Sequence, residues 1–205
     1  MAIITKEKII PYADIPPELL IEAAELIEKR LAQASSSSPQ PTLIHLCGVP
    51  GSGKTTYAKK FITQHTEFCH IHFDGVMESL RGYNQDKEKL GLIQAFSLWE
   101  LPARAIGYHL FQAMTEHHQS ILFDHSAAFR DHITLIQQLK SQGYRVEMHH
   151  LDCPPAIACQ RVKEREKIIQ RHTPEQLIWD RHILLQELIP IYQELVDQWV
   201  TISTQ

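Results

Sequence analysis

The segment with the clearest chemical signature runs from residue 48 to 55 and reads GVPGSGKT. It matches the phosphate-loop pattern G-x-x-x-x-G-K-[ST] at every defined position. Glycines let the backbone N–H groups of such a loop turn toward one anion, and a following helix adds its own unpaired N–H groups. Lys54 is placed to reach the β- and γ-phosphates of a nucleotide, and the Thr55 hydroxyl to ligate Mg²⁺. The sequence therefore predicts ATP and Mg²⁺ as cofactors, whereas an ordinary glycine-rich turn would leave Lys54 solvated. The predicted nucleotide-binding residues of this segment are Gly48, Pro50, Gly51, Ser52, Gly53, Lys54, Thr55 and Thr56.

Two aspartates, each at the end of an apolar segment, are the next candidates. Asp124 follows SILF, and Asp74 follows the alternating segment CHIHF. We predict that Asp124 holds Mg²⁺, because in phosphate-loop kinases the third strand commonly lies beside the first. We predict that Asp74 lies further out and accepts the proton of an attacking hydroxyl. Each aspartate could instead only cap the helix that follows its strand.

Three arginines near the C-terminal end of the chain form a second candidate group. Arg161 and Arg165 are four residues apart and share one helix face, and Arg171 follows in a short connection. Guanidinium groups are suited to the negative charge that spreads over a phosphoryl group during transfer. We therefore predict a lid around residues 161–174, with Arg165 and Arg171 acting in catalysis and Arg161 binding the nucleotide. The alternative is a solvated helix on which these arginines pair with neighbouring glutamates.

Strand and helix patterns alternate along the chain between these candidates. This alternation predicts an α/β, three-layer phosphate-loop NTPase fold, a parallel sheet of about five strands with helices on both faces. Ligands of such sheets lie at the carboxyl ends of the strands, where the loop and both aspartates are expected to meet. Residues 83–89 are polar and predict a loop. Strands are predicted near 42–47, 69–73, 120–123, 144–151 and 199–202, and helices near 56–64, 75–82, 92–114, 130–141, 154–165 and from 174 onward.

The first 41 residues predict an extension of the kinase domain. Apolar residues repeat at helical spacing over 17–34, which predicts an amphipathic helix, and residues 35–41 read SSSSPQP, a linker by composition. We therefore divide the chain into an extension, residues 1–41, and a phosphate-loop kinase domain, residues 42–205. Within the domain, Pro102 predicts a kink or a boundary in one long helix, Pro190 predicts a kink in the last helix, and Thr173 predicts a capping box.

Bulk properties narrow the classes of partner. The net charge of −4 lacks the basic footprint of a protein that binds long nucleic acid. The sequence has no secretory h-region and no apolar run of membrane-spanning length, so we expect a cytoplasmic protein without a membrane partner. The cysteines lack metal spacing and predict reduced thiols. The histidine pairs at 117–118 and 149–150 predict solvated or capping residues rather than metal ligands.

Several segments together resemble the zeta-toxin group of phosphate-loop kinases. The similarity extends from about Thr42 to Trp199, and it includes the strand that ends at Asp74. The segments are GVPGSGKTT from residue 48, ILFDHSAAFR from 121, LKSQGYRVEMHHLDCP from 139 and RVKEREKIIQRHTPEQLIWDR from 161.

The resemblance implies ATP-dependent phosphorylation of a hydroxyl group on a small molecule. The best-known members of the group phosphorylate UDP-N-acetylglucosamine and act as bacterial toxins, so a nucleotide-sugar acceptor and an antitoxin-like partner are implied. It also implies that Asp74 is the acceptor base and that Ser126 lies near the substrate. The sequence departs from the group in reading Asp124-His125-Ser126 where a Glu-Gly-Thr-like segment is usual, and it lacks a second acidic residue beside Asp74. The predicted substrate-binding residues are Arg81, Glu100, Ser126 and Arg130.

Two other functions stay open at the level of sequence. The segment CHIHFDGVMESLRGYN is equally similar to polynucleotide-kinase-like and tRNA-modifying kinases. An NTPase switch, which would hydrolyse nucleotide slowly and without an acceptor, is the alternative from a different class. The long interval between Tyr83 and Arg104 and the predicted lid favour an acceptor pocket beside the nucleotide.

Overall fold

A five-stranded parallel sheet forms the centre of the protein, with the strand order β2-β3-β1-β4-β5. The computed structural model describes residues 14–34, 37–169 and 173–204, apart from the side chain of Ile169. β3 lies directly beside β1, with Leu43 opposite Ile121, as the assignment of the two aspartates assumed. The strands are β1 Thr42–Cys47, β2 Cys69–Ile71, β3 Ile121–Phe123, β4 Arg145–Asp152 and β5 Gln198–Ser203.

Helices connect successive strands, and the predicted α/β architecture is confirmed. A 3₁₀ turn at Pro17–Leu19 precedes the first helix. None of the described helices is both long and apolar enough to cross a membrane. The helices are α1 Leu20–Gln33, α2 Lys54–Gln64, α3 Phe73–Ser79, α4 Arg81–Leu90, α5 Leu92–Glu116, α6 His132–Ser141, α7 Pro155–Ile169 and α8 Glu175–Leu195.

The two faces of the sheet are packed by different helices. Successive side chains of a strand point to opposite faces, so Leu43 and Cys47 belong to one apolar cluster and Ile44 and Leu46 to another. The first cluster is the larger and includes residues of α5, α6 and α8. The second is covered by α2, whose Ala58 is completely buried. Because both faces are covered, β1 is buried along nearly its whole length and can hold the phosphate loop rigidly.

The helix that precedes the sheet packs on the core, as its amphipathic pattern predicted. Ala23 of α1 is buried, and Leu26, Ile27 and Leu31 pack against the larger cluster. The predicted linker is described only from Ser37 onward, because residues 35 and 36 lie outside the described part of the chain, as do residues 1–13.

Two local predictions around β2 are wrong. β2 ends at Ile71 rather than at residue 73, because the His72 ring accepts a hydrogen bond from the backbone N–H of Gly75 at 3.0 Å and starts α3 there. Residues 83–89 belong to α4 and are not a loop. Tyr83 is buried, and the Trp99 indole donates to Asp86 at 2.8 Å, so contacts with α5 stabilise a helix that is polar in sequence.

The predicted capping box at Thr173 is wrong, and of the two alternatives predicted at Pro102, a kink or a boundary, the boundary does not form. α5 continues through Pro102, and α8 continues through Pro190. Pro102 leaves the Leu98 carbonyl without its helical donor, but Leu98 lies on an exposed face where water can replace it. The capping box does not form, because Pro174 is the N-cap of α8 and Thr173 instead donates its backbone N–H to Glu166.

Candidate active site

The phosphate loop connects the buried end of β1 to the first turn of α2. Gly53 precedes the helix with a φ of 93°, in the left-handed region. The Lys54 ammonium turns back over the loop and donates to the carbonyl oxygens of Gly48 and Val49, at 2.8 and 2.9 Å. Burial lowers the pKa of Lys54, and the negative charge of Asp124 acts in the opposite direction. The loop therefore folds around the Lys54 ammonium.

Gly51 sets the distance between the phosphate loop and α7. Its φ is 86°, and a Cβ atom there would lie 2.5 Å from the Ala158 carbonyl oxygen and 2.9 Å from a methyl carbon of Val162. Both neighbours belong to α7, which also carries Arg161 and Arg165. The absence of a side chain at residue 51 thus allows the helix of the predicted lid to pack directly on the loop.

We expect Gly51→Ala to destabilise the protein by about 2 kcal/mol or more, since left-handed backbone strain and overlap with α7 add together. Gly143→Ala is the matched control, because Gly143 has a φ of 87° but a Cβ atom at this residue would meet open space within 4 Å. Urea denaturation of both variants measures the effect. Equal losses of unfolding free energy would show that the contact with α7 contributes nothing.

Asp124 follows β3 and lies beside the phosphate loop. Its Oδ2 is buried and accepts no hydrogen bond from the described residues, and it faces His70 Nε2 at 3.8 Å, too far for a hydrogen bond. Burial alone would raise the pKa of Asp124, but His70, Lys54 and Thr55 together hold it below its ordinary value. A buried, ionised carboxylate oxygen beside a threonine hydroxyl is a donor set that suits Mg²⁺.

Asp74 lies in the first turn of α3 and not directly after β2, because β2 ends two residues earlier than predicted. Its carboxylate is exposed and lines the same cavity as Asp124 and Lys54. The two aspartates therefore occupy different environments, one enclosed beside the loop and one open to a substrate. The roles of Asp124 as metal ligand and of Asp74 as acceptor base stay predictions.

A single cavity of about 840 Å³ connects these groups. Pro50, Gly51 and Thr56 of the phosphate loop region line one end. Glu100 and Ser126, two of the four predicted substrate-binding residues, line it as well. A volume of this size is at the upper end of the range for small-molecule sites and can hold a nucleotide together with an acceptor.

The arginine-bearing segment covers one side of the cavity. Arg161 and Arg165 both line it, and Arg161 donates to the Cys153 sulfur at 3.6 Å. Thr173 and Pro174, which continue the chain after the gap at 170–172, line it too. Arg171 lies outside the described residues, so its role in the predicted lid stays a prediction.

Two other predicted substrate-binding residues lie away from the cavity lining. Arg81 is exposed and pairs with Glu22 and Glu25 of α1, the latter at 2.9 Å. Arg130 is exposed and pairs with Glu187 of α8. Both arginines therefore contact acidic residues distant in the sequence rather than the space beside the phosphate loop. Of the loop residues, Gly48 and Ser52 also stay behind the cavity surface, and Ser52 is fully buried.

Several charged cavity residues were not predicted as site residues. Arg104 pairs with Glu100 at 2.8 Å, one helical turn away, and this i, i+4 spacing was a usable signal. Arg181 of α8 donates to the Ala128 carbonyl and lines the cavity, although nothing in its local sequence distinguishes it. Lys59 of α2 lines the cavity as well.

The sequence matches the family model described as Zeta toxin over residues 26–204. The chain belongs to the Zeta toxin family. The match confirms the resemblance carried by the phosphate loop and the arginine-bearing segment. No curated protein matches the sequence significantly.

Solved structures share this fold at low sequence identity. A structure from the PezAT chromosomal toxin–antitoxin system of Streptococcus pneumoniae has a TM-score of 0.72 at 17% identity, covering 93% of this chain and 79% of that one. The AvrRxo1-ORF1:AvrRxo1-ORF2 complex with ATP has a TM-score of 0.62 at 17% identity, covering 93% of this chain and 64% of that one. A putative kinase from Chloroflexus aurantiacus has a TM-score of 0.56 at 18% identity, covering 81% and 89%. These similarities show that the chain has the phosphate-loop kinase fold.

Proposed function

We propose that this protein is an ATP-dependent kinase that transfers the γ-phosphoryl group to a hydroxyl group of a small molecule. The observation that carries the proposal is that the phosphate loop, Asp124 and Asp74 all line one cavity of about 840 Å³. The family match and the kinase fold support the same class of reaction. A nucleotide would need the loop and Asp124, and Asp74 adds an exposed carboxylate to the same cavity where an acceptor hydroxyl could meet it.

The nucleotide would bind at the end of the cavity formed by the loop and α2. Lys54 would exchange its contacts with the Gly48 and Val49 carbonyls for the β- and γ-phosphates, because a phosphate offers it a full negative charge. The Thr55 hydroxyl and the Asp124 carboxylate would hold Mg²⁺. The bound ion would neutralise the phosphate oxygens, and Asp124 is already ionised for that role because its pKa is low despite burial.

The acceptor would bind between α3, α5 and the loop that follows β3. Asp74 would accept the proton of the attacking hydroxyl, while Arg104 and Arg181 offer positive charge to an acidic acceptor. Phe96 and Phe129 supply aromatic surface in the same lining. A nucleotide sugar, the acceptor class implied by the family resemblance, carries both phosphate and a base that such groups can bind. The protein partner that the family resemblance implies is an antitoxin-like protein. Dependence on ATP favours action in the cytoplasm.

The test is an incubation of the purified protein with γ-labelled ATP, Mg²⁺ and a small-molecule extract, followed by mass identification of the labelled product. We expect label in a small molecule that appears only with the protein. Slow release of labelled phosphate that does not depend on the extract would indicate an NTPase switch instead. Label that enters RNA in a parallel incubation, and no small molecule, would indicate a nucleic-acid kinase.

We expect Arg165→Ala to lower kcat by about 10²-fold or more while the Kd for ATP changes little, since the guanidinium acts on transition-state charge. Arg171→Ala should behave in the same way. Arg145→Ala is the control, because Arg145 is exposed at the opposite end of the sheet and pairs with Glu147 at 2.7 Å. If kcat and Kd of the lid variants both equal those of the wild type, the two arginines are ordinary surface charges.

A further inference from the structure

Three histidine side chains from distant parts of the sequence meet at the base of the cavity. His45 lies on β1, His125 follows β3, and His132 begins α6. One ring nitrogen from each lies within 4.8 Å of the other two. His45 and His132 are buried, whereas His125 lines the cavity. The proposed phosphoryl transfer gives none of these rings a task.

A chain of hydrogen bonds fixes which nitrogens of His45 and His132 carry protons. His45 Nδ1 lies 2.7 Å from the Leu46 carbonyl oxygen, which can only accept, so Nδ1 is the donor. His45 Nε2 is then unprotonated and accepts from His132 Nδ1 at 2.8 Å. His132 Nε2 in turn accepts from the Tyr108 hydroxyl at 3.1 Å. In the neutral form of both rings, a single proton lies between two nitrogens that face each other.

A change of tautomer at His132 would leave both facing nitrogens unprotonated. If the proton of His132 moves from Nδ1 to Nε2, Nε2–H can donate a hydrogen bond to the Tyr108 oxygen, because a phenol hydroxyl is both donor and acceptor, and the hydroxyl proton of Tyr108 then turns away from the ring. The far nitrogen of each ring would then donate to an oxygen, at Leu46 and at Tyr108. Metal-bound histidines characteristically have such outer-shell partners, which hold the ring in orientation. The change neither adds nor removes a proton.

We propose that His45, His125 and His132 form a binding site for a transition-metal dication of the Zn²⁺ or Co²⁺ type, entered from the cavity through His125. Imidazole nitrogens bind such ions at about 2.0–2.1 Å, which places neighbouring ligands about 3.3 Å apart. The present separations, from 2.8 Å up to 4.8 Å, reach that arrangement with shifts of about 1 Å. Mg²⁺ prefers oxygen ligands, so this site is chemically distinct from the one at Thr55 and Asp124.

The electrostatic surroundings are compatible with a bound cation. Burial lowers the pKa of His45 to about 4, and the Asp124 carboxylate acts in the opposite direction. Burial also lowers the pKa values of His125 and His132 well below their ordinary range. The Asp124 charge offsets part of the cost of placing a cation beneath the loop.

The experiment is a titration of the protein with Co²⁺ in saturating Mg²⁺. Binding is measured by the visible absorption of four-coordinate, nitrogen-bound Co²⁺, and this absorption should be lost when Zn²⁺ is added. We expect one equivalent to bind. His125→Ala should weaken binding by at least about 100-fold, and Tyr108→Phe, which removes only the outer-shell oxygen, by about 10–100-fold.

Two matched variants separate this site from other histidines. His70→Ala removes a histidine that faces Asp124 at 3.8 Å, and Tyr57→Phe breaks a similar tyrosine–histidine pair, to His149 at 2.7 Å. Both should bind Co²⁺ as the wild type does. The proposal is overturned if the wild type gives no four-coordinate spectrum, or if the spectrum is lost in His70→Ala and kept in His125→Ala. If circular dichroism shows that His125→Ala is unfolded, Tyr108→Phe decides, and wild-type affinity in that variant overturns the proposal.

Discussion

Lys54→Ala is expected to abolish measurable phosphoryl transfer, with kcat reduced by about 10³-fold or more, the upper range for loss of one electrostatic group in a catalytic site. ATP affinity should fall by about 10–100-fold, because a charge-assisted contact with phosphate contributes about 1.5–3 kcal/mol. The ammonium is the group that now holds the Gly48 and Val49 carbonyls, so its removal empties the centre of the loop. Calorimetric titration with ATP and Mg²⁺, and a kinase assay, measure the two effects.

Lys60→Ala is the matched control for this prediction. Lys60 lies on the same helix and is exposed, and it is absent from the cavity lining. Its loss changes the net charge equally but removes no group from the loop. Wild-type ATP affinity in Lys54→Ala, at unchanged melting temperature, would contradict the assignment of the nucleotide site.

Asp74→Asn is expected to lower phosphoryl transfer by about 10²-fold or more while ATP and Mg²⁺ bind almost normally, since a general base contributes on that scale. Asp74 is exposed in the cavity, whereas the carboxylate of Asp124 is enclosed beside the loop. Asp124→Asn should instead raise the Mg²⁺ concentration needed for activity, because the amide has lost the charge that a hard cation prefers. Paired Mg²⁺ titrations of the kinase rate distinguish the two variants.

Asp180→Asn serves as the control for both variants. Asp180 is exposed on α8 and lies outside the cavity lining. Within the described residues, its carboxylate accepts a hydrogen bond from Gln176. Its rate and Mg²⁺ dependence should match the wild type. A shifted Mg²⁺ requirement in Asp74→Asn, with none in Asp124→Asn, would reverse the two roles. Unchanged transfer in both variants would place the acceptor site elsewhere.

Local sequence patterns predicted the architecture and the nucleotide end of the site. The strand before the phosphate loop, the loop and the helix after it form one continuous segment, residues 42–64, so local sequence contains the information that positions Lys54 and Thr55. The side-by-side placement of β1 and β3 followed from the fold class, and it brings Asp124 to the loop. Asp74 was placed at the right rim even though β2 is shorter than predicted.

Predictions failed where a distant part of the chain supplies the stabilising contact. Residues 83–89 are polar enough to predict a loop, but Tyr83 is buried against α5 and Trp99 bonds to Asp86, so tertiary packing makes them helical. The energy that decides the conformation of this segment comes from outside the local window.

The residues that line the proposed acceptor end of the cavity were decided by the tertiary structure. Arg81 and Arg130 are drawn to Glu22, Glu25 and Glu187, which lie more than fifty residues away along the chain, whereas Arg181 is carried into the cavity by α8. The three clustered histidines come from β1, the loop after β3 and the start of α6, and no spacing in the sequence relates them. A pattern of residues reports which side chains share a strand or a helix face. Which faces meet depends on how the elements pack, because the packing of the whole chain determines where a charged or polar side chain finds its partner.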